Sequence, residues 1–201
     1  SFAKTSDLVA SLNEVLPHVV RQMDCQAGSL FLAVDNQQQL ECVSCVGPVD
    51  IRGFKMPSSQ GIVGRVFGNQ LSDVVNDVDL DKDHSKTSDD QHAFITKAVL
   101  TVPVSFKDQY YGVLQLLNKI TGDVFSPDDI SSAKLLATSV AIGYHSVLIT
   151  QKIADTEVLR RDVEMAGEVQ AALTPVMPKN SRIAAEVLPY RQLSGDFFYY
   201  T

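Results

Sequence analysis

The chain has 201 residues, 45% of them hydrophobic, and a formal net charge of −7. This length is enough for one domain of ordinary size with additional segments, and the acidic balance argues against non-specific binding to nucleic acid or anionic membranes. We read no apolar run that approaches the roughly 20 residues needed to span a bilayer, and no signal peptide. We therefore expect no nucleic-acid partner and no membrane partner.

The three cysteines, Cys25, Cys42 and Cys45, form no disulfide framework. An odd number of cysteines fits a reducing compartment, so we expect a cytoplasmic protein. Cys42 and Cys45 form a C-x-x-C pair inside a strand-like run, where residues three apart point to opposite faces. This spacing favours plain strand cysteines over a metal or redox site.

The first predicted elements are a helix and a hairpin. Apolar residues recur at helical spacing from Leu8 to Val20, which predicts an amphipathic helix capped by Thr5 or Ser6 and kinked at Pro17. The runs AGSLFLAVD and LECVSCVG, separated by NQQQ, then predict two strands joined by a turn.

The middle of the chain alternates short elements with one long loop. The run SQGIVGRVFGNQ predicts a short helix that opens near Gly61, with Ser59 as a candidate cap, and LSDVVND predicts a short strand. The acidic segment 78–92 is too long for a tight turn, and loops of this length in compact domains are usually functional. KAVLTVPVSF and YYGVLQLLNK predict two further strands.

A long helix follows. In FSPDD, Ser126 is suited to the N-cap, Pro127 to the first helical position, and Asp129 closes a capping box. Nothing strongly interrupts the helix before Pro175, which predicts roughly 48 helical residues, or about 70 Å.

The second half of this helix carries a weak heptad pattern. The apolar positions are Ile149, Leu159, Val163, Ala166 and Leu173. Polar residues at Lys152, Thr156 and Gln170 interrupt the seam. The pattern favours a coiled coil that forms a homodimer, with a single solvated helix as the alternative.

The order of elements predicts an α/β (α+β) fold with a mainly antiparallel sheet flanked by helices. The runs AGSLFLAVD, GIVGRVFGNQ, VVND, FITKAVLTVPV and GVLQLLNK, followed by FSPDDI, resemble the GAF domain. They are most similar to the GAF domains of cyclic-nucleotide phosphodiesterases and cyclases. The resemblance covers about residues 6–150, so 1–150 is assigned to a GAF sensor domain and 151–174 to a linker helix, the expected coiled coil.

This resemblance implies a structural motif of Asn118, Lys119, Phe125 and Asp129. In the family, the position after the aspartate is a glutamate, whereas this chain has Ile130. By the resemblance, Lys119 and Asp129 form a salt bridge that ties the long helix to the sheet.

The resemblance also implies a pocket for a cyclic nucleotide, cAMP or cGMP. Ser29 would face the base, and Ile62 and Val63 would offer backbone N–H groups to the phosphate, as expected of a helix N-terminus. The remaining implied ligand-binding residues are Asp90, Thr96 and Gln115, on the loop side and floor, and Cys45, which replaces a phenylalanine that stacks on the purine. Another small ligand, or none, stays an alternative.

The end of the chain resembles a second family. EVQAALTPVMP and AAEVLPYRQLSGDFFYY are similar to the opening of bacterial PPM-type metal-dependent serine/threonine phosphatases that regulate stress responses and sporulation. The resemblance implies that Asp196 supplies one ligand to a pair of Mg²⁺ or Mn²⁺ ions, which need several carboxylates. We expect 175–201 to be the truncated start of such a domain, inactive here but part of a phosphatase that acts on a phosphoprotein. An ordinary tail is the alternative.

Together these observations predict a regulatory module of signal transduction. It would sense a small ligand, a cyclic nucleotide in the first hypothesis, and control a C-terminal serine/threonine phosphatase. In the alternative hypothesis the domain binds no ligand and only dimerises the same phosphatase.

Overall fold

The computed structural model describes residues 2–81, 94–122 and 124–173. The helices are α1 (Phe2–Gln22), α2 (Gly61–Asn69) and α3 (Pro127–Leu173), and a 3₁₀ turn spans Val78–Leu80. The strands are β1 (Cys25–Val34), β2 (Gln39–Val46), β3 (Lys55–Pro57), β4 (Asp73–Val75), β5 (Val99–Phe106) and β6 (Gln109–Lys119).

The strands form one six-stranded antiparallel sheet in the order β3-β2-β1-β6-β5-β4. The first and last long strands, β1 and β6, are therefore neighbours at its centre. β1 and β2 form the predicted hairpin, and the two further predicted strands, β5 and β6, also pair antiparallel with each other. The predicted α+β class with an antiparallel sheet is confirmed.

One face of the sheet packs against α1 and the first half of α3. Its core includes Leu16 and Val20 of α1 and Leu114 and Leu116 of β6. The contribution of α3 is small side chains at a spacing of four, which lie on one side of a helix and allow close approach to the sheet. These residues are Ala133, Ala137 and Ala141, all fully buried.

The opposite face packs against α2 through two separate apolar clusters. The first, cluster A, gathers Val63 and Phe67 of α2 with strand residues that include Phe31 and Val113. The second, cluster B, consists of Ile62, Val78 and Val99, with Val75 and Leu117 packed against it. Consecutive residues at the start of α2 thus join different clusters.

The described residues fall into two units, which divide between Val147 and Leu148. The described part of the second unit, residues 148–173, is helical. Many of its apolar side chains are exposed: Leu148, Ile149, Ile153, Val158, Leu159, Met165, Val169 and Leu173. The coiled coil and homodimer stay predictions.

The helix α3 contains an 18-residue window with a mean hydropathy of 1.2, of which 17% is buried. By length and composition alone this helix could cross a membrane, although core helices of soluble proteins meet the same criterion. The sequence analysis had predicted no apolar segment long enough to span a bilayer. Serine and threonine interrupt the apolar residues, and in the helix the hydroxyls of Thr138 and Ser139 bond to carbonyls four residues back.

Two predicted helix caps were wrong, one short strand was missed, and one predicted cap was right. α1 begins at Phe2, so Thr5 and Ser6 lie inside the helix, because no helix breaker precedes them. Ser59 does not cap α2; its N-cap is Gln60, which makes no side-chain capping bond. The sequence reading also missed β3, which has only three residues and ends in proline. The capping box of α3 is present between Ser126 and Asp129.

Candidate ligand site

A line of polar side chains crosses the sheet on the face that packs against α2. On β1, Ser29 lies opposite Cys45 of β2 and Gln115 of β6. Gln115 in turn lies opposite Thr101 of β5, which lies opposite Asp73 of β4. Paired residues in antiparallel strands place their side chains on the same face. We call these five residues, from five adjacent strands, the polar row.

Apolar clusters flank the polar row along the strands. On one side of the row, Phe31 lies two residues after Ser29 on β1, and Val113 lies two residues before Gln115 on β6. Both belong to cluster A. On the other side of the row, Leu117 lies two residues after Gln115 on β6 and packs against cluster B. Because α2 contributes to both clusters through its first turn, that turn spans the polar row.

The centre of the polar row consists of uncharged polar side chains. Thr101 is fully buried, and its hydroxyl accepts a hydrogen bond of 3.5 Å from the side-chain amide of Gln115. Ser29 is 5% exposed. Hydroxyl and amide groups such as these can both donate hydrogen bonds to a bound ligand and accept them from it.

The first turn of α2 offers further donors. The first backbone bond of the helix runs from the N–H of Gly64 to the carbonyl of Gln60 at 3.0 Å. The N–H groups of Gly61, Ile62 and Val63 precede it and make no bond to a described backbone carbonyl. Such N–H groups, at the positive end of a helix dipole, favour an anion.

Arg65 of α2 holds one end of the polar row. Its guanidinium donates to Asp73 at 2.6 and 2.9 Å and to Asp81, just after the 3₁₀ turn, at 2.8 and 3.3 Å. The side chains are 30%, 30% and 14% exposed, respectively, so these contacts are partly shielded from solvent. The two carboxylates therefore fix α2 relative to β4 and to the turn.

Cys45 forms the other end of the row, where the resemblance expects an aromatic ring in relatives. Its thiol donates to a carboxylate oxygen of Asp50 at 3.3 Å and accepts from the N–H of Ile51 at 3.4 Å. Burial raises the pKa of the Cys45 thiol, and burial raises that of Cys42 to about 12. Within the described part of the chain, no three Cys, His, Asp or Glu side chains are grouped to hold a metal ion.

The polar row contains three of the predicted ligand-binding residues, Ser29, Cys45 and Gln115. Ile62 and Val63 lie in the turn that spans it. Thr96 is buried but lies before β5, outside the row. Asp90 lies outside the described residues, as does the predicted metal ligand Asp196.

The sequence analysis missed two members of the row, Thr101 and Asp73. Thr101 carried a signal, because it is the one hydroxyl in the apolar run VLTVPV. Asp73 carried none, since its position follows from the pairing of β4 with β5.

The predicted structural motif is assembled at the end of β6. The side-chain oxygen of Asn118 accepts from the N–H groups of Lys97 and Ala98 at 2.7 and 3.1 Å. Its amide nitrogen donates to Gln26 and to the carbonyl of Ile95 at 3.0 and 2.8 Å. Asn118 also has a φ of 51°, which asparagine tolerates better than most residues. It thereby fixes the segment that leads into β5.

The predicted ion pair between Lys119 and Asp129 is present at 2.9 Å. Phe125, from the same motif, is buried, and its backbone N–H donates to Asn76 at 2.8 Å. Ile130, which replaces the family's glutamate, packs against the core on the α1 face. An apolar contact there takes the place of a charge.

A surface cavity of about 450 Å³ lies elsewhere, near the segment that precedes β5. It is lined by Gln26, Phe94, Ile95, Lys97, Ala98, Asn118, Lys119, Ile120 and Gly122. It contains two residues of the structural motif and none of the predicted ligand-binding residues.

Comparisons with known proteins agree with this architecture. A family model described as the GAF domain matches residues 5–144. The GAF domain of a phosphoenolpyruvate-protein phosphotransferase from Coxiella burnetii aligns with a TM-score of 0.65 at 15% identity, over 72% of this chain and 86% of that chain. A free methionine-R-sulfoxide reductase from Neisseria meningitidis, solved with its substrate, aligns with a TM-score of 0.60 at 18% identity, over 71% and 81%.

A fragment of a methyl-accepting chemotaxis protein aligns with a TM-score of 0.62 at 17% identity, over 71% of this chain and 92% of that chain. At these identities the structures show a shared fold, and the family model covers more than half of the chain. The chain therefore belongs to the GAF domain family, the regulatory and small-molecule-sensing modules of signalling proteins.

Proposed function

We propose that this GAF domain senses a cyclic nucleotide, with the base on the polar row and the phosphate at the first turn of α2. The observation that carries the proposal is the uncharged polar centre of the row between two apolar clusters.

The row suits a planar, neutral heterocycle. Ser29, Gln115 and Thr101 offer hydroxyl and amide groups, which can both donate and accept hydrogen bonds without adding charge. Apolar clusters on either side suit the faces of a ring. A few convergent polar groups in an apolar setting are typical of small-molecule sites.

The phosphate is assigned to the helix N-terminus because Arg65, on the same helix, is already engaged. Arg65 pairs with both Asp73 and Asp81. The N–H groups of Gly61 to Val63 make no bond to a described backbone carbonyl, so they can donate to an anion at this end of α2.

The test is a thermal unfolding series with cAMP and cGMP on the wild-type chain and two variants. Ser29→Ala removes the hydroxyl from the row, and Ser139→Ala removes an exposed hydroxyl from α3 as the control. At 100 times the Kd, a ligand that binds only the folded state stabilises it by about 2.7 kcal/mol. We expect a shift in wild type and in Ser139→Ala, and a reduced shift in Ser29→Ala. Absence of any shift with either nucleotide would contradict the proposal.

We further propose that the domain acts on its output through a homodimer formed by residues 148–173. In this segment the exposed apolar residues include Ile149, Ile153 and Leu159. Burying them against a second copy would remove apolar surface from water. Sedimentation equilibrium should show a dimer for the wild-type chain and a monomer for Ile153→Asp, with Glu157→Asp as a control.

The proposed output is a serine/threonine phosphatase, as the resemblance of 175–201 implies. The measurement is Mn²⁺-dependent hydrolysis of a phosphoprotein by the natural protein that contains this chain, with and without the nucleotide. A change in rate that disappears in Ser29→Ala would support regulation through the row. Equal rates would contradict it.

The second candidate function is a dimerisation module without a ligand. The exposed apolar side chains after Val147 favour it independently of the polar row. A dimer that neither nucleotide stabilises would select this candidate.

A further inference from the structure

We propose that α3 is attached to β6 by two polar contacts, one permanent and one releasable. The releasable contact, between Tyr111 and His145, passes the state of the polar row to the helix. The attachment stands on geometry alone. The transmission rests on the proposed function, because it needs a ligand in the row.

The two contacts lie near opposite ends of the same strand. At its end, Lys119 pairs with Asp129 at 2.9 Å. Near its start, the hydroxyl of Tyr111 lies 2.5 Å from Nδ1 of His145. From Tyr111 to Lys119 the strand rises about 26 Å, and from Asp129 to His145 the helix rises about 24 Å. Since these lengths match, the first part of α3 runs antiparallel to β6. A shift of the helix along the strand would break at least one of the two polar contacts.

Between the two contacts, the fully buried side chains of α3 are small, while the larger Ile130, Leu136 and Val140 pack against the core and stay only partly buried. The fully buried residues of α3 there are Ala133, Ala137 and Ala141. Methyl groups fill the interface but project little into the opposing surface, so they set the separation of helix and sheet more than the register. The directional polar contacts therefore add to this packing in setting the position of the helix along the strand.

The contact at Lys119 is the stronger of the two. Its ammonium also donates to the carbonyl of Met23 at 3.1 Å, and Asp129 also accepts from the N–H and hydroxyl of Ser126, both at 2.8 Å. Charge-assisted bonds with several partners are stronger than neutral ones. This end of the helix is the permanent attachment.

The contact at Tyr111 is a single bond between two side chains in an aromatic group. Tyr144 meets the Tyr111 ring edge-on at a centroid distance of 5.1 Å, and Phe106 lies 5.3 Å from the His145 ring. A single hydrogen bond between two side chains contributes less than an ion pair with several donors. Because one hydrogen bond holds this end of the helix and several hold the other, this end is the one that can release.

Strand β6 connects the releasable contact to the row. Gln115 of the row lies midway between Tyr111 and Lys119 on the same strand. The pairing of β5 with β6 changes register between Val104 and Ser105, next to the Tyr111 end. Strands bend at such irregularities. A ligand that displaces β6 at Gln115 would therefore move the Tyr111 end more than the Lys119 end.

The test is hydrogen exchange of α3, measured on peptides that cover 127–133 and 141–147. Tyr111→Phe removes only the hydroxyl and keeps the ring. We expect it to speed exchange in 141–147 about tenfold and to leave 127–133 unchanged. Lys119→Met should do the reverse, and Ser139→Ala should change neither. His145→Ala, as a second variant, should reproduce Tyr111→Phe.

Uniform acceleration along the helix, or none, in Tyr111→Phe and His145→Ala would overturn the attachment. For the transmission, cAMP or cGMP should change exchange in 141–147 of wild type and not of Tyr111→Phe. Binding without that change would overturn the transmission while leaving the proposed function intact. If neither nucleotide binds, the transmission and the proposed function both fail, and the variants still decide the attachment.

Discussion

Gly112 of β6 passes so close to β1 that a Cβ atom added to it would lie 1.9 Å from the carbonyl oxygen of Phe31. The next atoms, the Cα of Leu32 and the carbonyl carbon of Phe31, would lie 2.9 Å away. All three belong to the backbone of a central strand, which cannot move without disturbing both of its neighbours. Glycine at this position is therefore a condition of the β1–β6 pairing that brings Ser29 and Gln115 together.

We expect Gly112→Ala to lower the free energy of unfolding of the domain by more than about 4 kcal/mol, a loss that few point mutations cause. The matched control is Gly143→Ala in α3, where an added Cβ meets nothing within 4 Å. Alanine in a helix interior should stabilise by about 0.5–1 kcal/mol. Urea unfolding of both variants measures the contrast. A Gly112→Ala protein of wild-type stability would contradict the close approach.

Loss of the ion pair at the end of β6 should also lower stability. The side chains of Lys119 and Asp129 are 14% and 17% exposed, so Lys119→Met leaves a poorly solvated carboxylate. We expect the free energy of unfolding to fall by about 2 kcal/mol, the size of a hydrogen bond to a charged group. Arg160→Met is the control, because that arginine pairs with Glu157 and Glu164 on an exposed helix surface. It should cost under about 1 kcal/mol.

The stability contributed by Asp129 should depend on pH. Burial alone would raise the pKa of this carboxyl, but donors from Ser126 and Lys119 outweigh it and hold the pKa below its ordinary value. A carboxyl with a lowered folded pKa stabilises the folded state above the unfolded pKa of about 4. That stability is lost as the pH falls through the folded pKa. The difference in unfolding free energy between wild type and Asp129→Asn should be constant above about pH 5 and shrink below pH 4.

The cysteines should differ from free thiols in reactivity. Burial raises the pKa of Cys25 and of Cys42 to about 12. Since the thiolate is the nucleophile, only about one thiol in 10,000 is ionised at pH 8. Iodoacetamide should label neither residue in the folded protein, and Cys45 only slowly, with all three labelled in urea. Rapid labelling of native Cys42 would contradict this burial.

Asn118 should not tolerate replacement by aspartate, although the two side chains have the same shape. Aspartate keeps the acceptor for Lys97 and Ala98 but places an oxygen against the acceptors of Gln26 and Ile95. We expect a loss of about 3 kcal/mol, since two donated bonds are replaced by contacts between acceptors. Asn69→Asp, at the end of α2, is the control and should have little effect. Thermal unfolding measures both.

Local signals in the sequence predicted much of the fold. The start of α3 was predictable because its capping box involves only Ser126 and Asp129, three residues apart. The hairpins were predictable because turns and alternating apolar residues specify them over short distances. The salt bridge of Lys119 came from a family resemblance and not from the physical chemistry of the residues themselves.

Long-range pairing could not be predicted in the same way. That Thr101 and Asp73 share a line with Ser29 depends on the registers of three strand pairs, and a shift by one residue would turn each side chain to the other face. The contact of Tyr111 with His145 depends on how far α3 lies along β6. Neither the polar row nor the Tyr111–His145 contact is indicated by the residues that neighbour its members in the sequence.

The position of β6 in the sheet also bears on when a ligand can first meet this protein during synthesis. In the strand order, β6 lies between β1 and β5, so the two parts of the sheet remain separate until it inserts. Pairing of Ser29 with Gln115 closes a long stretch of chain, which makes it a slow, late step. A nascent chain that ends before β6 lacks the middle of the polar row. Recognition of a ligand on the row would therefore select finished domains and leave partly translated ones unoccupied.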